Sequence, residues 1–177
     1  MNGEITLVTG GCRSGKSDYA LKVAMEYDHR VFVATAEACD EEMDRRIQRH
    51  RQERGDLFQT MEEPLDLGRC FAAATEQTQV VLIDCLPVWL GNLTFRERFS
   101  GPEESCPEIS AFLGALTAPP CDVVIVTGEI GLGIVPADPG TRLYRDRLGR
   151  LNQRVAELAT HVYFVVSGLP MQIKPGR

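Results

Sequence analysis

Short runs of nearly continuous apolar residues alternate along the chain with longer segments of helical periodicity. Five such runs are rich in Val, Ile and Phe and span 4–9, 30–35, 80–85, 123–128 and 161–168. Unbroken apolar runs of this length are typical of strands that are covered on both faces of a parallel sheet. The pattern therefore predicts five strands in the interior of such a sheet.

Helical periodicity fills most of the chain between these runs. The predicted helices span 16–27, 40–54, 65–78, 86–99, 107–117 and 141–160. The clearest is the last, in which apolar side chains recur every three or four residues at Tyr144, Leu148, Leu151, Val155 and Leu158. Alternating strands and helices imply right-handed crossovers. We therefore predict an α/β fold, a three-layer sandwich with a mostly parallel central sheet.

Two irregular stretches, 99–108 and 128–141, interrupt the alternation with Pro and Gly. The alternation resumes after each of them, and the chain has no internal repeat or low-complexity tract. A length of 177 residues suits one domain with a sizeable core. We expect a single domain over 1–177.

The sequence GGCRSGKS, from Gly10 to Ser17, fits the pattern G-x-x-x-x-G-K-[ST] between a predicted strand and a predicted helix. Gly10 and Gly15 allow backbone N–H groups to converge on phosphate oxygens at the positive end of that helix. Lys16 is expected to reach the β- and γ-phosphates, and the Ser17 hydroxyl to bind Mg²⁺. The sequence thus predicts a nucleotide-binding P-loop NTPase-type sandwich. The alternative is a glycine-rich turn without a ligand.

Asp84 ends the apolar run 80–85. Proteins with a P-loop usually carry a second acidic residue at the end of a neighbouring strand, for Mg²⁺ or its water shell. The alternative is that Asp84 caps the helix that follows it. Both roles remain open on the sequence.

The predicted helix 40–54 carries Met43, Ile47 and His50 on one face. Five arginines accompany them: Arg45, Arg46, Arg49, Arg51 and Arg54. One guanidinium group can bind two phosphate oxygens at once. A positive environment lowers the pKa of an imidazole and so keeps it neutral and nucleophilic. The segment indicates a phosphate-rich ligand beside a histidine. A solvated helix whose acidic residues offset the arginines is the alternative.

Composition narrows the function classes. Hydrophobic residues make up 44% and charged residues 25%, as in soluble globular proteins. The net charge of -6 argues against a nucleic-acid partner that is held by a general positive field. No apolar run approaches the roughly 20 residues of a membrane span, and no signal-like segment opens the chain. We expect a cytoplasmic protein whose six scattered cysteines are mostly small buried residues.

Several segments carry a resemblance to a known family. They are TGGCRSGKS, VFVATAEACDEEMDRRIQRHRQER, VVLIDCLPVWLGNL and, most specific, the elements E-[IV]-G-x-G-I-V-P and R-D-x-x-G-x-x-N-Q of the last third. From about residue 4 to 174 the chain resembles the bifunctional adenosylcobinamide kinase / adenosylcobinamide-phosphate guanylyltransferase family of cobalamin biosynthesis.

The resemblance implies two reactions. The first phosphorylates the hydroxyl of the aminopropanol arm of adenosylcobinamide with ATP or GTP. The second transfers GMP from GTP to adenosylcobinamide phosphate and releases pyrophosphate, giving adenosylcobinamide-GDP. The resemblance also implies a homotrimer in which sites form between neighbouring subunits.

Site residues follow from the same resemblance. The pattern R-I-x-x-H-R falls on residues 46–51 and makes His50 the nucleophile that carries GMP. The P-loop pattern itself, rather than the resemblance, gives Lys16 as the second catalytic residue and the metal ligands that follow. Ser17 and Asp84 are the expected metal ligands. The expected nucleotide contacts are Gly10, Gly11, Cys12, Arg13, Ser14, Gly15, Lys16, Ser17, Ala34, Thr35, Ala36, Arg51, Gln52, Glu53, Arg54, Glu62 and Asp84. One departure is Gly55, where the family leads us to expect proline.

Two rival functions remain. One is a P-loop kinase of another small metabolite, which leaves the histidine helix unexplained. The other is a nucleotide-dependent regulatory protein without transfer chemistry. The sequence does not choose between ATP and GTP for the kinase step. Nor does the sequence assign a general base for the hydroxyl in that step, for which Asp84 is only a candidate.

Overall fold

In this computed structural model the described residues are 2–37, 55–99 and 106–175, with the single positions Arg45 and Gln48. They contain seven strands: β1 (Ile5–Gly10), β2 (Arg30–Ala34), β3 (Gln59–Glu62), β4 (Val80–Asp84), β5 (Asp122–Val126), β6 (His161–Val166) and β7 (Leu169–Lys174). All seven join one sheet in the order β3-β2-β4-β5-β1-β6-β7. Every pairing is parallel except that of β6 with β7.

Five helices are bounded within the described residues: α1 (Lys16–Ala24), α2 (Leu67–Ala72), α3 (Leu86–Phe95), α4 (Pro107–Leu116) and α5 (Pro139–Leu158). Short 3₁₀ turns span Gly55–Leu57 and Ile130–Leu132. Asp66 and Asp138 cap α2 and α5, each accepting a hydrogen bond from a backbone N–H three residues on.

The helices cover both faces of the sheet. On one face, Leu7 and Ile83 pack in a buried cluster with Trp89 of α3, Phe112 of α4 and Leu151 of α5. On the other face, a second cluster packs against α1 and includes Val8, Phe32, Leu82, Ala20 and Ala24. The arrangement has three layers, and the predicted α/β sandwich with a mostly parallel sheet is confirmed.

Both edge strands were absent from the prediction. The short strand β3 lies at one edge and leaves three of its four residues exposed, so it carries no apolar run. The prediction merged the turn before β7 into the preceding strand. Ser167 and Gly168 have φ angles of 52° and 79°, the left-handed pair that a tight hairpin requires. The dipeptide Ser-Gly was the available signal for that turn.

Several predicted helices are longer than the observed ones. The segment 65–78 is helical only over α2, since Thr75 and Thr78 already hydrogen-bond to each other in a turn. The predicted 86–99 ends at Phe95, because Glu97 takes a left-handed φ of 52°. Helix α5 starts two residues early, at Pro139, since proline suits a first helical turn.

The inward stripe of α5 is confirmed for its middle part. Leu148, Leu151 and Val155 are buried, whereas Leu158 at the end of the helix is exposed. Of the predicted helix 40–54, the described positions Arg45 and Gln48 are helical and exposed, and the rest lies outside the described residues. In the described part of the chain, no helix is both long and apolar enough to cross a membrane.

The backbone conformation at Gly55 accounts for the absence of the proline that the family pattern leads us to expect there. Its φ angle is 48°. The ring of proline fixes φ near -65°, so proline cannot take this conformation.

Candidate nucleotide-binding site

The loop between β1 and α1 needs glycine at both ends. A Cβ atom on Gly10 would lie 2.5 Å from the carbonyl oxygen of Val165 and 2.7 Å from Ser14 Oγ. Gly15 has a left-handed φ of 90° and approaches Gly168, whose Cα would lie 3.1 Å from an added Cβ. The strand–loop–helix context predicted for the P-loop is therefore present, and its tight path depends on these glycines.

Two backbone hydrogen bonds fix the loop to its neighbours. The N–H of Gly168, in the turn after β6, donates to the carbonyl of Ser14 at 2.8 Å. The N–H of Glu129, in the segment after β5, donates to the carbonyl of Gly10 at 3.1 Å. The loop is thus held from both neighbouring strands of β1.

Polar side chains of the loop lie where phosphate oxygens would be bound. Lys16 Nζ donates to the carbonyl oxygen of Gly11 at 3.0 Å, across the loop. Ser14 Oγ is buried without a hydrogen-bond partner among the described residues. Buried polar groups normally have partners. An anion in the loop would supply an acceptor for both groups. Cys12 and Arg13 are exposed, while Gly11 and Ser17 are partly buried.

Strand register brings the remaining predicted residues to the same edge of the sheet. Ala34 is level with Asp84 and with Glu62. Asp84 is level with Val126, which is level with Val8 of β1. Because neighbouring strands lie about 4.8 Å apart, Asp84 is about 10 Å and Glu62 about 19 Å from β1. Asp84 therefore lies near the P-loop, and Glu62 lies at the far end of the same edge.

Thr35 is fully buried, and its hydroxyl is used within the protein. Thr35 Oγ1 donates to the carbonyl of Cys85 at 3.0 Å and accepts from the N–H of Cys85 at 2.8 Å. Its own carbonyl accepts from Asn92 Nδ2 at 2.8 Å. These contacts fix the chain beside Asp84. Ala34 and Ala36, on either side of Thr35, are partly buried, and the nucleotide contact of segment 34–36 stays a prediction.

Asp84 is the last residue of β4, and Cys85 occupies the N-cap position of α3. Tyr144 of α5 supports the start of this helix, because its hydroxyl donates to the carbonyl of Pro87 at 2.7 Å. Burial raises the pKa of Tyr144 to about 12, so the hydroxyl keeps its proton and remains a donor.

A buried polar network next to the P-loop was missed by the sequence analysis. Thr127 Oγ1 donates to Asn152 Oδ1 at 2.6 Å. Asn152 Nδ2 donates to the carbonyl of Gly128 at 3.0 Å and to Glu129 Oε1 at 3.3 Å. Thr9 Oγ1 donates to the same Oε1 at 3.3 Å. The available signal was the pair of family elements that contain Glu129 and Asn152, to which no role was assigned.

The donor set fits Mg²⁺. Ser17 lies in the first turn of α1, and Asp84 ends β4. Hydroxyl and carboxylate oxygens are ligands that this ion prefers, completed by phosphates and water. The described residues contain no group of three or more His, Cys, Asp or Glu that could hold a metal without such help.

The predicted nucleophile is not among the placed residues. His50, Arg51, Gln52, Glu53 and Arg54 lie outside the described residues. Their predicted roles stay predictions.

Comparison with known proteins agrees along nearly the whole chain. Residues 6–173 match the model of a family described as cobinamide kinase / cobinamide phosphate guanyltransferase. The bifunctional adenosylcobalamin biosynthesis protein CobP of Pseudomonas aeruginosa is 41% identical over 169 residues, with 95% of this chain and 96% of that protein covered. The protein CobU of Escherichia coli, with the same description, is 36% identical over 178 residues, covering 95% and 98%.

Among solved structures, the ATP synthase subunit NeqB from Nanoarcheaum equitans matches with a TM-score of 0.51 and 10% identity. The match covers 92% of this chain and 45% of that one. This likeness concerns the fold alone.

Proposed function

The chain belongs to the cobinamide kinase / cobinamide phosphate guanyltransferase family, and on this basis we propose the division of two reactions among its residues. It phosphorylates adenosylcobinamide with ATP or GTP. It then transfers GMP from GTP to adenosylcobinamide phosphate, giving adenosylcobinamide-GDP and pyrophosphate in cobalamin biosynthesis. The observation that carries the assignment is a complete P-loop in a chain 41% identical to a bifunctional relative over 95% of its length.

In the kinase step, the backbone N–H groups of the loop and Lys16 hold the nucleotide phosphates. The acceptor hydroxyl attacks the γ-phosphorus, and the nucleoside diphosphate leaves. Catalysis of this kind is mostly positioning and charge stabilisation. Lys16 supports it because its ammonium group already lies over the loop, 3.0 Å from the Gly11 carbonyl oxygen.

In the transferase step, neutral His50 attacks the α-phosphorus of GTP and forms a phosphoramidate as pyrophosphate leaves. Lys16 and the arginines around His50 stabilise the charge on the leaving group. The phosphate of the corrinoid then displaces the histidine. The family pattern on residues 46–51 supports this role of His50.

We propose that Ser17 and Asp84 hold Mg²⁺. When bound, the ion would neutralise charge on the phosphate oxygens. The position of both groups at the carboxyl edge of the sheet supports this pairing.

The far end of that edge supports a homotrimer with shared sites. Glu62 lies about 19 Å from β1 by strand spacing, too far to line the P-loop of its own chain. Strand β7 exposes Leu169, Met171 and Ile173, by 70%, 54% and 58%. Light scattering should give three times the 19.6 kDa of one chain, and Met171→Glu should lower that mass. We also propose that each chain forms one domain, because all seven strands of the described residues join one sheet. The proposed location of the enzyme is the cytoplasm.

The decisive experiment is intact mass spectrometry after incubation with GTP and Mg²⁺. The wild-type protein should gain the mass of one GMP, in an acid-labile bond. His50→Ala should show no gain, and the matched control His29→Ala should behave as the wild type. A gain that persists in His50→Ala would move the nucleophile to another residue.

The rival, a P-loop kinase without guanylyl transfer, predicts no GMP adduct although GTP is bound. Turnover of adenosylcobinamide phosphate with GTP separates the two functions. Release of pyrophosphate with this acceptor supports the bifunctional enzyme.

A further inference from the structure

The acceptor groups of the two reactions differ in whether they must lose a proton. The kinase acceptor is a hydroxyl, which must lose its proton when its oxygen bonds to phosphorus. The transferase acceptor is a phosphate monoester, which is already anionic at neutral pH. A general base is therefore needed in the kinase step alone. This reasoning rests on the proposed pair of reactions.

One carboxylate lies directly beside the first glycine of the P-loop. Glu129 follows β5, the neighbour of β1, and its N–H donates to the Gly10 carbonyl at 3.1 Å. Its side chain meets Thr9, the residue before that glycine, at 3.3 Å. By strand order, Glu129 is one strand from β1, whereas Asp84 is two strands away.

The carboxylate is held by one oxygen. Oε1 accepts from Thr9 Oγ1 and from Asn152 Nδ2, each at 3.3 Å. Thr9 and Asn152 are buried, with 4% and 6% of their surface exposed, so both donors are fixed in place. Both donors are neutral.

The second oxygen is available. Among the described residues, Oε2 of Glu129 has neither a hydrogen-bond partner nor an ion pair with a Lys or Arg side chain. The residue is only partly buried, and Oε2 is not one of the fully buried unpartnered side-chain atoms of the described residues, so this oxygen is accessible. An oriented carboxylate with one free oxygen and no neutralising cation is suited to accept a proton.

We propose that Glu129 is the general base of the kinase step. The acceptor oxygen forms its bond to the γ-phosphorus while the bond from that phosphorus to the β–γ bridging oxygen breaks. The hydroxyl proton passes to Oε2 of Glu129, and the nucleoside diphosphate leaves with the electron pair. Thr9 and Asn152 act as positioning residues that orient the carboxylate through Oε1.

The test compares both reactions in the same full-length protein. Glu129→Gln keeps the size of the side chain and removes its basicity. Its kinase kcat should fall by roughly 10²-fold or more. Its rate of GMP transfer to adenosylcobinamide phosphate should stay within about threefold, because that acceptor has no proton to give up. Glu4→Gln is the matched control and should leave both rates unchanged, because Glu4 precedes β1 and so lies at the end of the strands opposite to the P-loop.

Two results would overturn the proposal. A kinase rate that survives in Glu129→Gln shows that another group accepts the proton. An equal loss of both reactions shows that the carboxylate only supports the loop or a metal ion. If the family function itself fails, neither reaction will be seen in the wild-type protein, which separates the two failures.

A second variant covers the case in which Glu129→Gln does not fold. Glu129→Ala opens space for a small carboxylate, and added formate should restore kinase activity without changing the transferase. Rescue restricted to the kinase step supports a proton acceptor. A folded Glu129→Ala protein that is inactive as a kinase and unaffected by formate contradicts it.

Discussion

The ammonium group of Lys16 donates to the carbonyl oxygen of Gly11 at 3.0 Å, so the side chain folds back over its own loop. A carbonyl is a weaker partner for an ammonium group than a phosphate is, because a phosphate oxygen carries a negative charge that attracts the ammonium in addition to accepting its hydrogen bond. The lysine is therefore placed to exchange this carbonyl for a phosphate oxygen when a nucleotide enters.

Replacing this ammonium group should impair both reactions. Lys16→Ala should lower kinase and transferase kcat by roughly 10²-fold or more, since one preorganised donor to a developing anion has an effect of this size. Steady-state kinetics with each acceptor measures the change. Lys22→Ala, on the exposed last turn of α1, is the control and should change neither rate. A Lys16→Ala protein that loses only one activity would place the retained reaction away from the P-loop.

Asn152 should contribute to stability as well as to the site. Asn152→Ala leaves the buried Thr127 hydroxyl without its acceptor and the Gly128 carbonyl without its donor. We expect the free energy of unfolding to fall by about 1–3 kcal/mol, the usual cost of a buried unsatisfied polar group. Urea unfolding measures it. Gln153→Ala, at the exposed neighbouring position, should stay within about 0.5 kcal/mol of the wild type.

Local sequence signals predicted the interior of the fold and missed its edges. Buried strands such as β4 need apolar side chains on both faces, and that requirement is visible as an unbroken run. Strand β3 is held by backbone pairing with β2 and places few side chains in the core, so its sequence carries almost no trace of it. Strand β7 exposes five of its six residues and depends on the Ser167–Gly168 turn for its position.

The site divides in the same way. The P-loop is a contiguous segment whose chemistry can be predicted from its own residues. The contact of Glu129 with Thr9 joins residues 120 positions apart, and that with Asn152 joins two elements of the chain. Only the sheet order, which places β5 beside β1, brings them together. Unless the order of the strands in the sheet is known, the sequence gives no reason to pair Glu129 with Thr9 or Asn152.

Cys12 should be more reactive than the buried cysteines Cys70 and Cys121. It is exposed within the P-loop, whereas burial raises the pKa of Cys70 to about 12 and that of Cys121 to about 11. Only the thiolate reacts with alkylating reagents. Iodoacetamide at neutral pH should therefore label Cys12 and spare Cys70 and Cys121, as read by peptide mass spectrometry.

Bound nucleotide should slow that labelling, because Cys12 is a predicted contact of the phosphates in the loop. GTP is added before the reagent, and Cys12→Ser serves as the control for the peptide assignment. Equal labelling of Cys12 with and without saturating GTP would argue that the nucleotide binds elsewhere.

The cap of α5 should make stability depend on pH in the acid range. Asp138 Oδ2 accepts from the backbone N–H of Thr141 at 2.7 Å and from its hydroxyl at 2.8 Å. Both bonds hold the pKa of Asp138 below its ordinary value of 3.8, and the bond from the backbone N–H has the larger effect. At this carboxyl group the folded state therefore binds fewer protons than the unfolded state. The contribution of the cap to the free energy of unfolding is fully present above pH 3.8, and it is lost as the pH falls through the lower pKa of the folded state.

Asp138→Ala should consequently be less stable than the wild type at neutral pH, and this difference should shrink as the pH falls below 3.8. Asp138→Asn keeps an oxygen acceptor that does not titrate, so its difference from Asp138→Ala should stay nearly constant with pH. Thermal unfolding of the three proteins along a pH series measures both differences. A gap between wild type and Asp138→Ala that widens on acidification would show that the charged cap is not what stabilises the start of α5.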